Sequence, residues 1–295
     1  LISWGLRIPA SGKQGTKMNL EFSSILILIM IIAFAAEFID SSLGMGYGTT
    51  LTPLLILLGY EPMQIVPAVL LSELITGLLA GLFHHNLGNV DLFPRKLSFR
   101  GILASINRNG VIKSIGEHCP LHLRISLVIA SCSILGTFGA VMIAIKVSSS
   151  WLTIYIGLMV LVIGLVIILS RRKAQLFSWK RIIALGVIAS FNKGLSGGGY
   201  GPVVTGGQIL AGVKGKTAVA ITSLSEGLTC LAGVILYCLT MDSIDWSLAP
   251  YLAIGSVLSV PLAALTVKSI KTEFLRMTIG VVTVLLGIVT LVKVL

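Results

Sequence analysis

Two glutamates stand inside apolar runs, in matching surroundings. Glu73 lies in "LSELITGLLAG" and Glu226 lies in "LSEGLTCLAG". In both segments a serine precedes the acid and a threonine follows it by three residues, on the same face of a helix. A charged side chain at the centre of a membrane helix costs about 3 kcal/mol on insertion scales, so each acid calls for a role. The acids either exchange a proton or cation that drives transport, or they hydrogen-bond the free N–H groups of a nearby broken helix.

A second duplicated pattern is rich in glycine. "GMGYG" occupies residues 44–48 and "GGGYG" occupies residues 197–201, and each precedes a short apolar stretch. Glycine adopts backbone angles that other residues avoid. A helix that begins at such a turn exposes free N–H groups and about half a positive charge at its start. Two such helix starts inside a membrane would suit an anion; helix packing through small residues is the alternative.

Both patterns belong to one internal repeat. Residues 38–78 align with residues 191–231 at a constant offset of 153 without a gap, and fifteen of the 41 aligned positions are identical. Apolar composition inflates such matches, so the shared polar residues and glycines carry the inference. The offset pairs Glu73 with Glu226 and Thr52 with Thr205.

A third group of charges breaks the symmetry of the repeat. Glu37 and Asp40 share one helix face, and Lys193 occupies the position equivalent to Asp40. We expect Lys193 either to pair with an acid of the other repeat or to contact an anionic substrate. For Glu37, a place near a membrane end with its carboxylate reaching water is an alternative.

The remaining motifs give no support for an enzyme. His84, His85, Asn89 and Asp91 lack the spacing of a zinc site, so we favour a role in an interfacial loop and predict no metal. No Walker motif or HExxH motif occurs. We therefore predict neither catalysis nor a cofactor.

The composition is that of a membrane protein. Of the 295 residues, 55% are hydrophobic and 11% are charged, and the mean hydropathy is +1.00. Soluble domains carry about a quarter charged residues. The net charge of +11 fits basic loops at the cytoplasmic membrane surface better than nucleic-acid binding, which we do not predict.

The apolar runs predict an all-α, polytopic fold. Eight long runs are candidate transmembrane helices. They cover residues 22–41, 62–83, 123–146, 151–170, 181–196, 214–238, 246–267 and 273–294. Two shorter stretches, 49–59 and 202–213, follow the glycine-rich turns and predict short or broken helices.

Loop charges predict how these helices are oriented. Basic residues gather in segments 84–122 and 171–181, which places both on the cytoplasmic side. The loop with Asp242 and Asp245 is acidic and is expected outside. If the short segments also span, the two repeats have opposite orientations, with a pseudo-two-fold axis in the membrane plane.

Three segments follow from this arrangement. Residues 18–170 form the first transmembrane repeat, with the cytoplasmic loop 84–122, and residues 171–295 form the second. Residues 1–17 are expected to be a disordered tail or a gene-start artefact.

Several segments of the sequence also resemble one protein family. "IDSSLGMGYGTTLTPLLILLGYEP", "VPAVLLSELITGLLAG", "HHNLGNVD" and "GLSGGGYGPVVTGGQILAG" look like the sulfite exporter TauE/SafE family, also called toluene-sulfonate uptake permeases. The resemblance covers about residues 24–294. It implies a secondary transporter of sulfite, sulfonates or other small anions, with the substrate site at the glycine-rich turns and the polar residues that follow them.

We therefore predict a proton- or cation-coupled permease or exporter of a small anion, sulfite or an organosulfonate first, in the cell membrane. Its partners are the anionic substrate and the lipid bilayer, and homo-oligomerisation is left open. The predicted coupling residues are Glu73, Glu226 and Asp40. The predicted substrate-binding residues are Gly44, Gly46, Tyr47, Gly48, Thr49, Thr52, Ser72, Thr76, Lys193, Gly197, Gly199, Tyr200, Gly201, Thr205, Ser225 and Thr229.

Two other functions remain open. The paired membrane glutamates also suit a cation exchanger, in which hard oxygen ligands surround the ion. A non-transporting membrane scaffold would use the glycine-rich faces for packing alone.

Overall fold

The chain is helical throughout the residues that the computed structural model describes. These are residues 13–92, 120–169, 178–210, 213–267 and 272–294. They form ten helices and no β-strand. The helices are α1 (Lys13–Leu43), α2 (Tyr47–Leu57), α3 (Pro62–Asn86), α4 (Leu121–Ala144), α5 (Ser149–Leu169), α6 (Trp179–Ser196), α7 (Tyr200–Leu210), α8 (Gly215–Thr240), α9 (Ala249–Thr266) and α10 (Thr272–Val294).

The prediction of an all-α fold is confirmed for the described residues. The eight transmembrane spans and the inversion of the repeats stay predictions. Each of the eight long apolar runs coincides with a helix, and the two short stretches coincide with α2 and α7. Six helices are long and apolar enough to cross a membrane, namely α1 from Ser24, α3, α4, α5, α8 and α9. Helix α6 carries three basic residues, and the apolar part of α10 is the shorter stretch Gly280–Lys293. Eight spans are therefore not established.

Helix ends differ slightly from the predicted boundaries. Helix α1 begins at Lys13, inside the segment expected to be a tail, and residues 1–12 lie outside the described part of the chain. Helix α3 continues to Asn86, so the first residues of the predicted loop 84–122 are helical. Most of that loop, residues 93–119, lies outside the described residues.

The distribution of polar and apolar side chains is reversed relative to a water-soluble protein. Large apolar side chains face outward on several helices, among them Leu135, Trp151, Leu239 and Val292, each more than 60% exposed. Polar and charged side chains such as Glu73, Lys193 and Glu226 are buried. An apolar surface of this extent is covered by lipid tails in a membrane, and it would be a liability in water.

Corresponding helices of the two repeats pack against each other in antiparallel directions. A Cβ added at Gly77 of α3 would lie 2.7 Å from the Ser223 carbonyl oxygen of α8. Further along α3, Gly81 faces Leu224, and Asn89 after the helix accepts a hydrogen bond from Thr217 near the start of α8. The same reversal occurs between α5 and α10, where Gly157 faces Leu291 and Gly164 faces Val284.

The two glycine-rich turns cross each other in backbone-to-backbone contact. Gly44, Gly46, Gly197 and Gly199 have positive φ angles of 69°, 135°, 71° and 80°, which break the chain between α1 and α2 and between α6 and α7. A Cβ at Gly48 would collide with the Gly197 carbonyl oxygen, and a Cβ at Gly201 would collide with the Gly44 carbonyl oxygen. Because the offset of 153 exchanges these two contacts, the crossing has two-fold character.

We expect Gly48→Ala to destabilise the protein. The added methyl group would occupy the position of the Gly197 carbonyl oxygen, and overpacking of this kind costs about 1–3 kcal/mol. The measurement is the thermal unfolding midpoint of the detergent-solubilised protein, followed by tryptophan fluorescence.

Gly206→Ala is the matched control. It lies in α7, next to the same crossing, but a Cβ there would meet no atom within 4 Å. Alanine in a helix is favoured over glycine by about 1 kcal/mol, so this variant should unfold at the same or a higher temperature. Equal midpoints for the two variants would refute the steric role of Gly48.

Candidate functional site

A buried lysine contacts two buried glutamates at the centre of the helix bundle. Lys193 of α6 forms an ion pair with Glu73 of α3 and donates a hydrogen bond of 2.6 Å from Nζ to Oε1 of Glu226 on α8. The three residues are 1%, 3% and 4% exposed. The equivalent acids of both repeats therefore meet on one cation.

Two further acids lie beside this ion pair. The Glu37 carboxylate accepts hydrogen bonds from Ser41 Oγ at 2.6 Å and from Thr76 Oγ1 at 3.1 Å. Asp40 follows one turn later on α1 and is 7% exposed. Four carboxyl groups and one lysine thus share a region from which water is largely excluded, so the acids compete for Lys193 and for protons.

A small polar gap runs through the cluster. It has a volume of about 10 Å³, roughly the room that one water molecule requires. Its lining residues are Glu37, Asp40, Glu73, Thr76, Gly77, Ser223 and Glu226. A polyatomic anion does not fit this space.

Helix ends explain why Asp40 and Lys193 differ in their partners. Lys193 is in the last turn of α6, where a positive charge complements the helix dipole. Asp40 is in the last turn of α1, where a negative charge is unfavourable, but its Oδ1 accepts a hydrogen bond of 3.3 Å from the backbone N–H of Tyr47. Tyr47 is the first residue of α2, so the carboxylate occupies the anion position at that helix start.

Buried hydroxyl groups flank the charged cluster. In the first repeat, the Tyr47 hydroxyl lies 2.8 Å from Ser72 Oγ and 2.8 Å from Ser256 Oγ of α9. In the second, Thr229 Oγ1 donates to the Tyr200 hydroxyl at 3.2 Å. These contacts fix the two tyrosines that begin α2 and α7 against α3 and α8.

The structure brings together only part of the predicted site. Glu73, Glu226, Asp40 and Thr76 line the gap, and Lys193 contacts the two glutamates. Ser72 contacts Tyr47 instead.

The other predicted hydroxyl groups have local or packing contacts. Thr49 Oγ1 donates to Gly46 O at 3.2 Å, Ser225 Oγ to Ile221 O at 2.8 Å, and Thr205 Oγ1 to Gly44 O at 2.8 Å. Thr52 Oγ1 is buried and has no hydrogen-bond partner among the described residues. The glycines of both turns face opposing backbone or side chains, including the hydroxyl groups of Thr205 beside Gly44 and Thr52 beside Gly197, so their role in binding stays a prediction.

The list of predicted site residues omits three contributors, although Glu37 was noted for sharing a helix face with Asp40. Glu37 is 2% exposed inside the bundle, so the alternative of a carboxylate reaching water is wrong for this residue. Its spacing from Asp40 was the available signal. Ser256 lies in α9, outside the repeat alignment, and no sequence pattern marks it. Cys230 Sγ lies 3.9 Å from Glu73 Oε2.

The histidine pair has a structural place at the end of α3. His84 is fully buried; its Nδ1 accepts a hydrogen bond from Asn89 Nδ2 at 3.0 Å, and its Nε2 donates to the Ser41 carbonyl oxygen at 3.0 Å. Among the described residues no group of three or more histidine, cysteine or acidic side chains could hold a metal ion.

Comparison with known proteins decides the family. The sequence model of "Sulfite exporter TauE/SafE" matches residues 29–107 and 108–290. The chain belongs to this family. It is also 27% identical over 283 residues to "Probable membrane transporter protein YtnM" of Bacillus subtilis (strain 168), a match that covers 91% of this chain and 83% of that protein. No solved structure matches the chain.

Family membership agrees with the physical features of the fold. A TauE/SafE protein with at least six apolar helices of spanning length is a multi-pass membrane transporter. A membrane transporter contacts lipid and a small substrate. Both the family and the relative are described as transporters and not as enzymes.

We expect substitutions of Glu73 and Glu226 to have non-additive effects on the unfolding temperature. Glu73→Gln or Glu226→Gln alone leaves Lys193 one carboxylate partner. The double variant removes both and leaves a buried ammonium group that costs about 3–5 kcal/mol when unpaired. The unfolding temperature of the double variant should therefore fall by more than the sum of the two single effects.

Asp245→Asn, combined with Glu73→Gln, provides the control cycle. Asp245 lies outside the helices, where hydrogen bonds from Ser247 hold the pKa of its carboxyl below its usual range. Its effect should add to that of Glu73→Gln. If the decreases in unfolding temperature caused by Glu73→Gln and Glu226→Gln are additive as well, Lys193 does not need either glutamate as an ionic partner.

Proposed function

We propose that this protein is a proton-coupled secondary transporter of a small sulfur-containing anion, either sulfite or an organosulfonate. One observation carries the proposal: a fully buried lysine is held by two glutamates, one from each repeat. An oxyanion can replace a carboxylate as the partner of an ammonium group, because both offer negatively charged oxygen acceptors.

Proton coupling follows from the cost of an unpaired buried charge. Lys193 requires an anionic partner at every stage of a transport cycle. When Glu73 or Glu226 takes up a proton, it loses its charge and leaves Lys193 with one carboxylate partner, so the substrate anion can take the vacated position beside Lys193. Loss of the proton restores the carboxylate and expels the anion. The anion and the proton therefore travel in the same direction.

We further propose that the two repeats are inverted and that α6 and α10 complete eight spans. The antiparallel packing of α3 with α8 and of α5 with α10 supports this arrangement, because an axis in the membrane plane reverses the direction of equivalent helices. Rocking of one repeat against the other around the crossed glycine turns would expose the cluster to each side alternately.

The glycine-rich turns and the hydroxyl groups contribute to substrate binding in an open state of this cycle. Asp40 supports their role, since its carboxylate already contacts the first N–H of α2. Helix α7 begins in the same way at Tyr200, and Lys193 occupies the position equivalent to Asp40. Separation of the turns would give a substrate anion the N–H groups of α7 together with Lys193.

A cation exchanger remains a second candidate because of one feature of the site. Four buried acids surround a single lysine in the described cluster, and this excess of carboxylates favours a cation. The two functions make opposite demands on Lys193. Anion transport requires its charge, whereas cation exchange does not require it.

We expect Lys193→Gln to abolish uptake of ³⁵S-labelled sulfite into proteoliposomes, since the anion loses its charged partner. Loss of a buried charge-assisted contact is worth about 2–5 kcal/mol, which is at least about 30-fold in rate or affinity. Lys180→Gln, at an exposed position in the first turn of α6, is the matched control and should retain uptake.

Glu73→Gln and Glu226→Gln test the coupling. With a pH-sensitive dye inside the vesicles, each variant should lose sulfite-driven proton entry. Proton-coupled flux that is unchanged in both would overturn the coupling role. Retained flux of labelled sodium or calcium in Lys193→Gln, with no sulfite flux in the wild type, would favour the cation exchanger.

A further inference from the structure

Glu37 differs from the other three buried acids in the kind of group that it contacts. The two glutamates of the repeats contact the ammonium group of Lys193, and Asp40 contacts a backbone N–H group. Ammonium and N–H groups can only donate hydrogen bonds, so they suit a carboxylate and not a protonated acid. Three of the four acids are therefore arranged as carboxylates.

The described partners of Glu37 are hydroxyl groups. Ser41 Oγ lies 2.6 Å from Glu37 Oε1, and Thr76 Oγ1 lies 3.1 Å from Glu37 Oε2. A hydroxyl group donates a hydrogen bond to a carboxylate and accepts one from a carboxylic acid. The same two contacts therefore serve Glu37 with or without a proton, which is what a site that binds and releases a proton requires.

The charges of this region call for a bound proton. Four carboxylates and one ammonium group would leave three negative charges unbalanced inside the helix bundle. A charge at the centre of a membrane helix costs about 3 kcal/mol on insertion scales. Lys193 balances the paired glutamates in part, and the start of α2 offers about half a positive charge to Asp40. Glu37 has neither kind of partner among its described contacts, so a proton is best placed there.

The groups around Glu37 strengthen this assignment. The titratable side chains that share its region are Asp40 on α1, Tyr47 on α2, Glu73 on α3, Lys193 on α6, and Glu226 and Cys230 on α8. Helix α9, which also packs against α1, has no charged residue. The lysine contacts the two glutamates, and the aspartate one turn away repels a second negative charge on Glu37.

The polar gap can connect Glu37 with Glu73. Both residues line it, and its volume of about 10 Å³ is roughly the room that one water molecule requires. Glu73 Oε2 contacts Lys193, but Glu73 Oε1 is buried and has no hydrogen-bond partner among the described residues. A buried acceptor without a partner costs about 1–3 kcal/mol, which a donor in the gap would recover.

We propose that Glu37 binds a proton at neutral pH and passes it to Glu73 during transport. The inference rests on the proposed anion transport and specifies its coupling step. The O–H bond of Glu37 breaks, and one water molecule in the gap takes up this proton while it gives another to Glu73 Oε1; no electrons are exchanged. Glu37 becomes a carboxylate to which Ser41 and Thr76 donate. Glu73 becomes neutral and leaves Lys193 with one carboxylate partner.

Infrared spectroscopy of the purified full-length protein tests the bound proton. A protonated carboxyl group has a C=O stretching band that a carboxylate lacks. Glu37→Gln should remove one such band at neutral pH, and Glu61→Gln, at an exposed position before α3, should leave it unchanged. Glutamine imitates the protonated side chain, so Glu37→Gln should unfold at the temperature of the wild type. Loss of carboxylate bands alone in Glu37→Gln would overturn the proposal.

The hydroxyl contacts provide a second spectral signature with the carboxyl group intact. Ser41→Ala removes the contact of 2.6 Å to Glu37, and should move the C=O band to a higher wavenumber because the protonated acid loses a hydrogen bond. Ser42→Ala is the matched control, since the Ser42 hydroxyl donates to the Phe38 carbonyl oxygen at 2.6 Å. A band that is unmoved in Ser41→Ala would show that the proton resides on another acid.

Transport assays test the transfer to Glu73. Glu37→Gln should slow uptake of ³⁵S-labelled sulfite into proteoliposomes by at least about tenfold at neutral pH. Acidic external solution should restore part of this rate, because Glu73 can then take up a proton from water directly. Glu61→Gln should keep the rate and the pH profile of the wild type, and acid should not restore uptake in Lys193→Gln.

The two kinds of measurement separate this proposal from the one on which it rests. A wild type that moves no anion, but loses the C=O band in Glu37→Gln, refutes anion transport and supports the proton site. A wild type that transports sulfite, with an unchanged rate and pH profile in Glu37→Gln, refutes the transfer from Glu37 and leaves anion transport standing.

Discussion

The structure depends on the contact between one buried ammonium group and two carboxylates. Lys193, Glu73 and Glu226 come from three different helices, and none of them has access to water that would stabilise its charge. In such surroundings a single charge is far more costly than a pair. The packing of α3, α6 and α8 therefore has to keep the three groups together.

The glycine contacts make that convergence feasible. Gly77 and Gly227 let the backbones of α3 and α8 approach beside the two glutamates, and Gly48 and Gly201 do the same for the turns before α2 and α7. Close backbone approach places the chain breaks next to the ion pair. Two helix ends stabilise charges in this region. The C-terminal end of α6 stabilises the charge of Lys193, and the first N–H of α2 donates a hydrogen bond to Asp40. The close packing at the glycines and the charges at the helix ends therefore belong to the same region. A role of these glycines in packing does not exclude a role in anion binding.

Much of the fold was accessible from sequence because its physical causes are local or periodic. Apolar runs of spanning length specify helices whatever they pack against, and all eight runs are helices. The offset of 153 identified Glu73 and Glu226 as partners because it compares residues that occupy equivalent places. Tertiary contacts without such a signal were beyond reach. Ser256 meets Tyr47 only because α9 packs against α3, and Glu37 is buried only because Thr76 of α3 and Ser41 cover its carboxylate. A binding role of the glycines stays a prediction, since both turns are in packing contact here.

At several positions the two repeats carry side chains of different polarity or charge. The fold accepts Val69 and Leu55 in the first repeat at the positions where the second has Thr222 and Gln208. In the second repeat these two side chains form a buried network with Thr205, in which Thr222 Oγ1 lies 2.8 Å from Thr205 Oγ1 and 3.0 Å from Gln208 Nε2. Packing alone does not require polar groups there, since apolar ones suffice in the other copy. The same reasoning applies to Asp40 and Lys193, which place opposite charges at equivalent positions. A strictly symmetric site would set lysine against lysine or acid against acid across the axis. The exchange of one acid for a lysine gives the paired glutamates a cation in a region where unpaired charges are costly.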